Sequence, residues 1–342
     1  MDRNLSIFNF KKKLPWGFLF MLLFVLMIES FISHNHMRVP CGSSIIWDKR
    51  KIDELYRFPT GTSPVRIIVF GDSTAENEML TEKYGIIQFG YGGGLISSYY
   101  FLEKFIKDNG KPELCIFLFN NMQWAMEDPA PNSFYRPFFS WKVISNFVFE
   151  DKMLDKAYLM FYEGFLPSRR YRMFVLEFLK KHSIFDLNTA KYQVTKEMVN
   201  STTQFDWRKH YIDNDTRMRK GYLLKVPYMQ EHYFNKICDL MKKNNIKFVI
   251  WESPIPETIN SVDIYFNDYM KDVNSLLAKR KDAVTEYKTR SLVFSDDLFI
   301  GDGSHIKRES HEVVADAIYG RIVSRFLNQP GEIASLADKK KK

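Results

Sequence analysis

Three residue types that together perform acyl transfer occur in this chain just past apolar runs or in glycine-containing loops. Ser73 closes Gly71-Asp72-Ser73, and Asp302 precedes His305 in Gly301-Asp302-Gly303-Ser304-His305. A hydroxyl serves as nucleophile, an imidazole takes its proton, and a carboxylate holds the imidazole in the right tautomer. A fourth part, donors for the oxyanion, is available from the backbone N–H groups of Ser73 and Gly93 and the side-chain amide of Asn121. The neighbouring Asn120 competes for that amide role. Taken singly, each piece has a plainer reading. Ser73 suits a helix N-cap after a turn, and an aspartate three residues before a histidine is a common structural pair. The chemical reading rests on their order relative to the elements that carry them.

Val65–Phe70 is an unbroken run of mostly β-branched and aromatic residues, as expected of a strand buried on both faces. It ends at Gly71, so Ser73 falls beyond its carboxyl end, where ligands bind in open α/β sheets. A helix is expected near 76–83, a strand at Gly85–Phe89, a helix at Leu95–Asn109 and a strand at Leu114–Phe119, which stops at Asn120-Asn121. The pattern resumes with a helix from Tyr228 to Asn244 and a strand at Lys247–Trp251. A helix at Asp263–Lys279, a weak strand near Ala283–Tyr287 and a closing helix from about Lys307 to Leu327 follow. Val314, Ile318, Ile322 and Phe326 are its expected buried face. Strands alternating with helices argue an α/β fold with a doubly wound, mostly parallel sheet.

The expected organisation is a cytoplasmic N-terminus (1–13), a transmembrane anchor (14–33), a linker (34–63), a catalytic domain in two parts (64–127 and 227–328) and a C-terminal tail (329–342). The two parts are split by an aromatic-rich, largely helical insertion (128–226) packed over the carboxyl edge of the sheet. Within it, Trp141–Phe149, Leu154–Phe165 and Tyr171–Lys181 read as helical, with a basic face from Arg169, Arg170, Arg172, Lys180 and Lys181.

The chain has 342 residues, 45% hydrophobic and 16% aromatic, ample for a packed core. Its formal charge is +8 and its pI about 9.1. Part of that charge is local, in Lys11–Lys13 and Lys339–Lys342, and no nucleic-acid recognition module accompanies it. An anionic membrane or envelope polymer is the expected counterpart. The run Leu14–Ser33 is long enough for a bilayer-spanning helix, and the lysines before it predict an N-in orientation with the catalytic domain outside the cytoplasm. No small-residue cleavage site follows it. Glu29 lies near the outer end of this run, placed to snorkel or to face a polar partner helix. Of the three cysteines, Cys115 reads as a buried thiol, while Cys41 and Cys238 are left open as a pair. No metal site or cofactor is expected: Asp296 and Asp297 lack spaced partners. His311 reads as a bystander on the closing helix, and His182, His210 and His232 have no catalytic setting.

In this order the motifs resemble the SGNH (GDSL-like) hydrolase superfamily. Gly71-Asp72-Ser73 matches its first block, and Gln88-Phe89-Gly90-Tyr91-Gly92-Gly93 echoes the second. Phe119-Asn120-Asn121 corresponds to the third, and Asp302-Gly303-Ser304-His305 to the last. Gln88 stands where the family has asparagine, and Phe119 where it has glycine. The resemblance covers residues 65–125 and 228–327 and implies a three-layer, flavodoxin-like α/β domain. With the N-terminal span, it resembles the envelope acyl-transfer branch, such as polysaccharide O-acetyltransferases and the D-alanyl-transfer protein of teichoic acid operons. That implies a multi-span membrane-bound O-acyltransferase as partner and an envelope glycopolymer as acceptor. Two other readings stay open here: an esterase, lipase or deacetylase with water as acceptor, and a non-catalytic scaffold of an envelope complex.

Overall fold

The computed structural model of the chain describes residues 16–35, 65–71, 86–90, 94–120, 124, 140–151, 154, 165–171, 175, 178–179, 226–262, 270–300 and 305–327. In chain order the elements are α1 (Trp16–Asn35), β1 (Ile67–Gly71), β2 (Ile86–Gly90), α2 (Gly94–Asn109), β3 (Leu114–Phe119) and α3 (Trp141–Ser145). Then come α4 (Pro167–Arg170), α5 (Tyr228–Asn244), β4 (Lys247–Glu252), β5 (Ile255–Pro256), α6 (Glu257–Val262) and α7 (Lys271–Lys279). The chain closes with β6 (Glu286–Lys288), β7 (Val293–Phe294), α8 (His311–Ile318) and α9 (Ser324–Phe326).

Five strands form one parallel sheet in the order β2-β1-β3-β4-β6. Every residue of β1 and β3 is buried, which is why both read as solid apolar runs rather than alternating ones. One face presents Ile68, Phe70, Cys115, Phe117, Phe119, Phe248 and Ile250, packed with α2, α5 and α7. Its centre is a stack in which the Phe70 ring lies 5.1 Å from Phe117 and 5.9 Å from Phe248. The other face presents Ile67, Val69, Ile116, Leu118, Val249 and Trp251 to the C-terminal helix. Helices therefore cover the sheet on both sides, as expected.

The chain moves from β1 outward to β2, returns past β1 to β3, and continues to β4 and β6. The direction of strand addition reverses between β1 and β3, and the loops leaving these neighbours diverge to make a crevice. The helices α2, α5 and α7 of the later crossovers all pack on the first face, as the right-handed crossover rule requires for strands added in one direction.

Two helix ends fix the orientation of the outer layers. α5 stops at Asn244 because Asn245 takes a left-handed conformation (φ 53°). The Ile246 and Asn245 amides then bond back to the Met241 and Lys242 carbonyls at 3.0 and 3.1 Å, closing the helix in a Schellman motif. At the C-terminal helix, Lys247 Nζ donates to the Phe326 carbonyl at 2.6 Å, and Arg325 forks onto Glu286 at 3.0 and 2.7 Å. Lys247 and Glu286 begin their strands, so this helix ends at the amino edge of the sheet and starts towards the carboxyl edge.

Several elements differ from expectation. The closing helix begins at His311 after a 3₁₀ turn at Arg308–Ser310, and a π-turn at Tyr319–Val323 interrupts it. The wider turn rotates the following residues, so the buried face runs Val314, Ile318, Ile322, Val323, Leu327. Phe326, expected inside, lies partly exposed beneath the Arg325 guanidinium, 5.6 Å away. β6 sits later than expected, at Glu286–Lys288. The parallel pair of β5 with β7 has two residues per strand, too short for any periodicity. Cys238 is a buried free thiol; Cys41, left open as its pair, lies outside the described residues. Burial in an apolar layer pushes the Cys238 thiol up to about 12, and raises Cys115 further.

The described parts of the insertion are helical. Ser140 Oγ caps α3 by accepting from the Val143 amide at 3.2 Å, and a π-turn at Asn146–Glu150 follows. Val143 and Phe147 pack into the core against α2 and α5.

α1 has 20 residues and few buried side chains. It is the one helix among the described residues that is long and apolar enough to cross a membrane by length and composition.

Candidate functional site at the carboxyl edge of the sheet

β1 and β3 run side by side to the carboxyl edge, with Gly71 opposite Leu118 in one register and opposite Gly90 of β2 in the other. Gly71 is buried and is the last described residue before the Asp72-Ser73 segment. β3 extends one residue further, to Phe119, and Asn120 follows it, half-buried. The Ser253 amide, just past β4, donates to the Phe119 carbonyl at 2.8 Å and prolongs the ladder there.

His305 belongs to the segment that feeds the C-terminal helix. Phe299 and Ile306 form an antiparallel bridge. The Ile300 amide donates to the His305 carbonyl at 2.9 Å, and the Lys307 amide to the Leu298 carbonyl at 2.8 Å. Ile306 and Phe299 are buried in the second-face core, which ties this short ladder to the sheet. His311 Nε2 donates to the Ile306 carbonyl at 3.1 Å. This bond ties the start of the C-terminal helix to the residue after His305. Because the C-terminal helix starts towards the carboxyl edge, His305, Asn120 and Gly71 share that edge. Ser73, Gly93, Asn121 and Asp302 lie outside the described residues.

Asp296 has a structural partner in α6. Its carboxylate accepts from the Thr258 amide at 3.0 Å and from the Thr258 hydroxyl, capping α6. Among the described residues no group of three or more His, Cys, Asp or Glu side chains is arranged to hold a metal.

Two buried carboxylates near the site give no signal in the sequence. Glu252 ends β4 at 4% exposure and accepts from the Arg290 amide at 2.7 Å, with the Arg290 guanidinium 3.6 Å away. It pins the turn after β6, where Arg290 adopts a left-handed conformation (φ 54°). Asp151 lies at the end of the π-turn, its side chain fully buried. It accepts from the Tyr233 hydroxyl at 2.6 Å and Lys236 Nζ at 2.9 Å, and bonds His232 Nε2 at 2.7 Å. The Tyr100 hydroxyl lies 3.1 Å from that of Tyr233. Burial opposes ionisation of Asp151 most strongly, but the bonds from Tyr233, Lys236 and His232 together outweigh it and hold the carboxyl below its usual range. Burial, and secondarily the neighbouring hydroxyl and carboxylate, raises Tyr233. His232, which has no catalytic setting in the sequence, therefore fastens the insertion to α5. The spacing of His232 and Lys236, one turn apart, puts them on one helix face, but nothing marks Asp151 as their partner.

At the head of the same helix, Gln230 Oε1 accepts from the Leu95 amide at 3.3 Å, deep in the core. This side chain occupies one of the orphan donors at the start of α2. Gln88, buried on β2, leaves its Nε2 without a hydrogen-bond partner among the described residues.

Compared with models of known protein families and with curated proteins, the chain matches none.

Proposed function

We propose that this chain is a membrane-anchored serine acyltransferase of the SGNH type, acting outside the cytoplasm on hydroxyls of an envelope glycopolymer. The observation that carries the reading is the common carboxyl edge reached by Gly71, Asn120 and His305 from three distant parts of the sequence. The serine motif continues directly from the first of these, the oxyanion amide is Asn120 or the next residue, and the third is the base itself.

In the proposed reaction, Ser73 Oγ attacks the carbonyl of an activated acyl donor, an acetyl ester or thioester, while His305 takes its proton. The oxyanion is held by the Ser73 and Gly93 amides and the Asn121 side chain, with Asn120 as competitor. As the tetrahedral intermediate collapses, the imidazolium protonates the leaving group and an acyl-serine remains. His305 then accepts a proton from a polymer hydroxyl, whose oxygen attacks the acyl-serine, and returns that proton to Ser73 Oγ as the new ester leaves. Asp302 keeps the imidazole oriented and balances its transient charge.

The reading of α1 as an uncleaved anchor has its own support. Glu29 and Ile32 of α1 contact Ser168 and Tyr171 of the insertion, contacts that removal of α1 as a leader would abolish. A multi-span acyltransferase that delivers the acyl group across the membrane completes the proposed pathway.

The test uses the full-length protein in membranes, an acetyl donor and an oligosaccharide acceptor. Acyl-oligosaccharide from the parent and none from Ser73→Ala is the expected result. Free acetate alone would identify a hydrolase, and undiminished polymer modification by Ser73→Ala would identify a scaffold.

A further inference from the structure

We infer that residues 165–171, with Val175, Phe178 and the far end of α1, form a foot that beds in the membrane leaflet on the globular side. The inference rests on α1 being a membrane anchor. A helix of 20 residues is about 30 Å long, close to the thickness of the hydrocarbon core. Glu29 precedes the end of α1 at Asn35 by six residues, about 9 Å of helix. A carboxylate at that depth needs polar partners. Ser168 supplies two, its backbone amide at 2.7 Å and its hydroxyl. Glu29 therefore neither snorkels nor waits for another helix; the insertion comes down to it.

The contact continues along α1. Ile32 packs with Tyr171, Val175 and Phe178, and Phe31 meets Phe178 edge-on at 5.5 Å between ring centroids. The segment thus lies alongside the last two turns of the span, at the level of headgroups and upper acyl chains. Its outward residues suit that level. Phe165, three residues before Ser168, is 59% exposed, as apolar as the exposed Met27 and Phe31 that flank Glu29 on α1. Arg169 is also exposed. Aromatic and basic residues concentrate at bilayer interfaces, where they meet the polar boundary and anionic headgroups. The occupant of this surface is the bilayer rather than a protein, because these residues pack directly on the proposed anchor helix and the exposed Arg169 complements anionic lipid.

The experiment uses the full-length protein with Cys41→Ser, in vesicles of phosphatidylcholine and phosphatidylglycerol. Cys115 and Cys238 are buried, so single cysteines at Phe165, Leu22 and Lys243 can each carry an environment-sensitive fluorophore. Doxyl-labelled phosphatidylcholine then reports contact with lipid. Loss of most of the fluorescence at positions 165 and 22, with none lost at 243, is expected. Quenching at 22 without quenching at 165 overturns the foot while leaving the anchor standing. No quenching at 22 overturns the anchor and the foot with it. Arg169→Cys is a second reporter should F165C not fold.

Discussion

The Tyr233 hydroxyl donates to Asp151 at 2.6 Å, joining the insertion to the helix that leads into β4. Breaking a buried, charged network by removing one partner is costly, because the others keep their desolvation without their bond. Asp151→Ala is expected to lower stability by about 3–5 kcal/mol. Tyr233→Phe is expected to cost about 1–3 kcal/mol. Chemical denaturation of the protein in detergent measures both.

The same carboxylate makes a pH prediction. Its folded-state pKa lies below its ordinary value, so its contribution is present above the unfolded pKa, ~3.9, and is lost as pH falls through the folded one. The stability difference between the parent and Asp151→Asn should therefore shrink on acidification through the acid range and stay level towards neutrality. Melting temperatures across that range provide the check.

The proposed catalytic residues act as a unit, so their losses do not add. Ser73→Ala and His305→Ala should each reduce kcat by about 10⁶-fold. The double variant should be no slower than the worse single one, measured as acyl transfer to an oligosaccharide.

The two adjacent asparagines separate by the same assay. Asn121→Ala is expected to lower kcat by about 10²–10³-fold, as for loss of one oxyanion donor. Asn120→Ala should do much less. The reverse order would move the amide role to Asn120.

The π-turn at Tyr319–Val323 gives a packing prediction. Leu327→Ala removes a buried side chain and should cost about 2–5 kcal/mol. Phe326→Ala, at a partly exposed position, should cost much less. Thermal unfolding of the pair distinguishes the observed register from an uninterrupted helix.

Much of the sheet was legible because its central strands are covered on both faces. Ile67–Gly71 and Leu114–Phe119 carry no polar residue, and such runs have one reading between turn signals. α5 was legible from its apolar spacing and its end at Asn244-Asn245. The buried face of the C-terminal helix was misread at Phe326, since a π-turn leaves no compositional mark. The β5–β7 pair has two residues per strand and no period to detect. Asn120 was placed by the strong apolar strand that it follows, and His305 by the helix that it precedes. Asp151 was not, because its partners lie more than eighty residues away on α5, and only folding brings a carboxylate to a helix face that otherwise looks solvated.

Among its described residues, the excursion between β3 and α5 is bonded to α5 at Asp151 and to α1 at Glu29. With α1 as the proposed anchor, a pull on it reaches the sheet along two routes. One runs through the N-terminal connection to β1, and the other through Ser168 and Asp151 into α5 and β4. Tilt of the anchor in a thinner or thicker bilayer would be felt on both sides of the crevice beside β3.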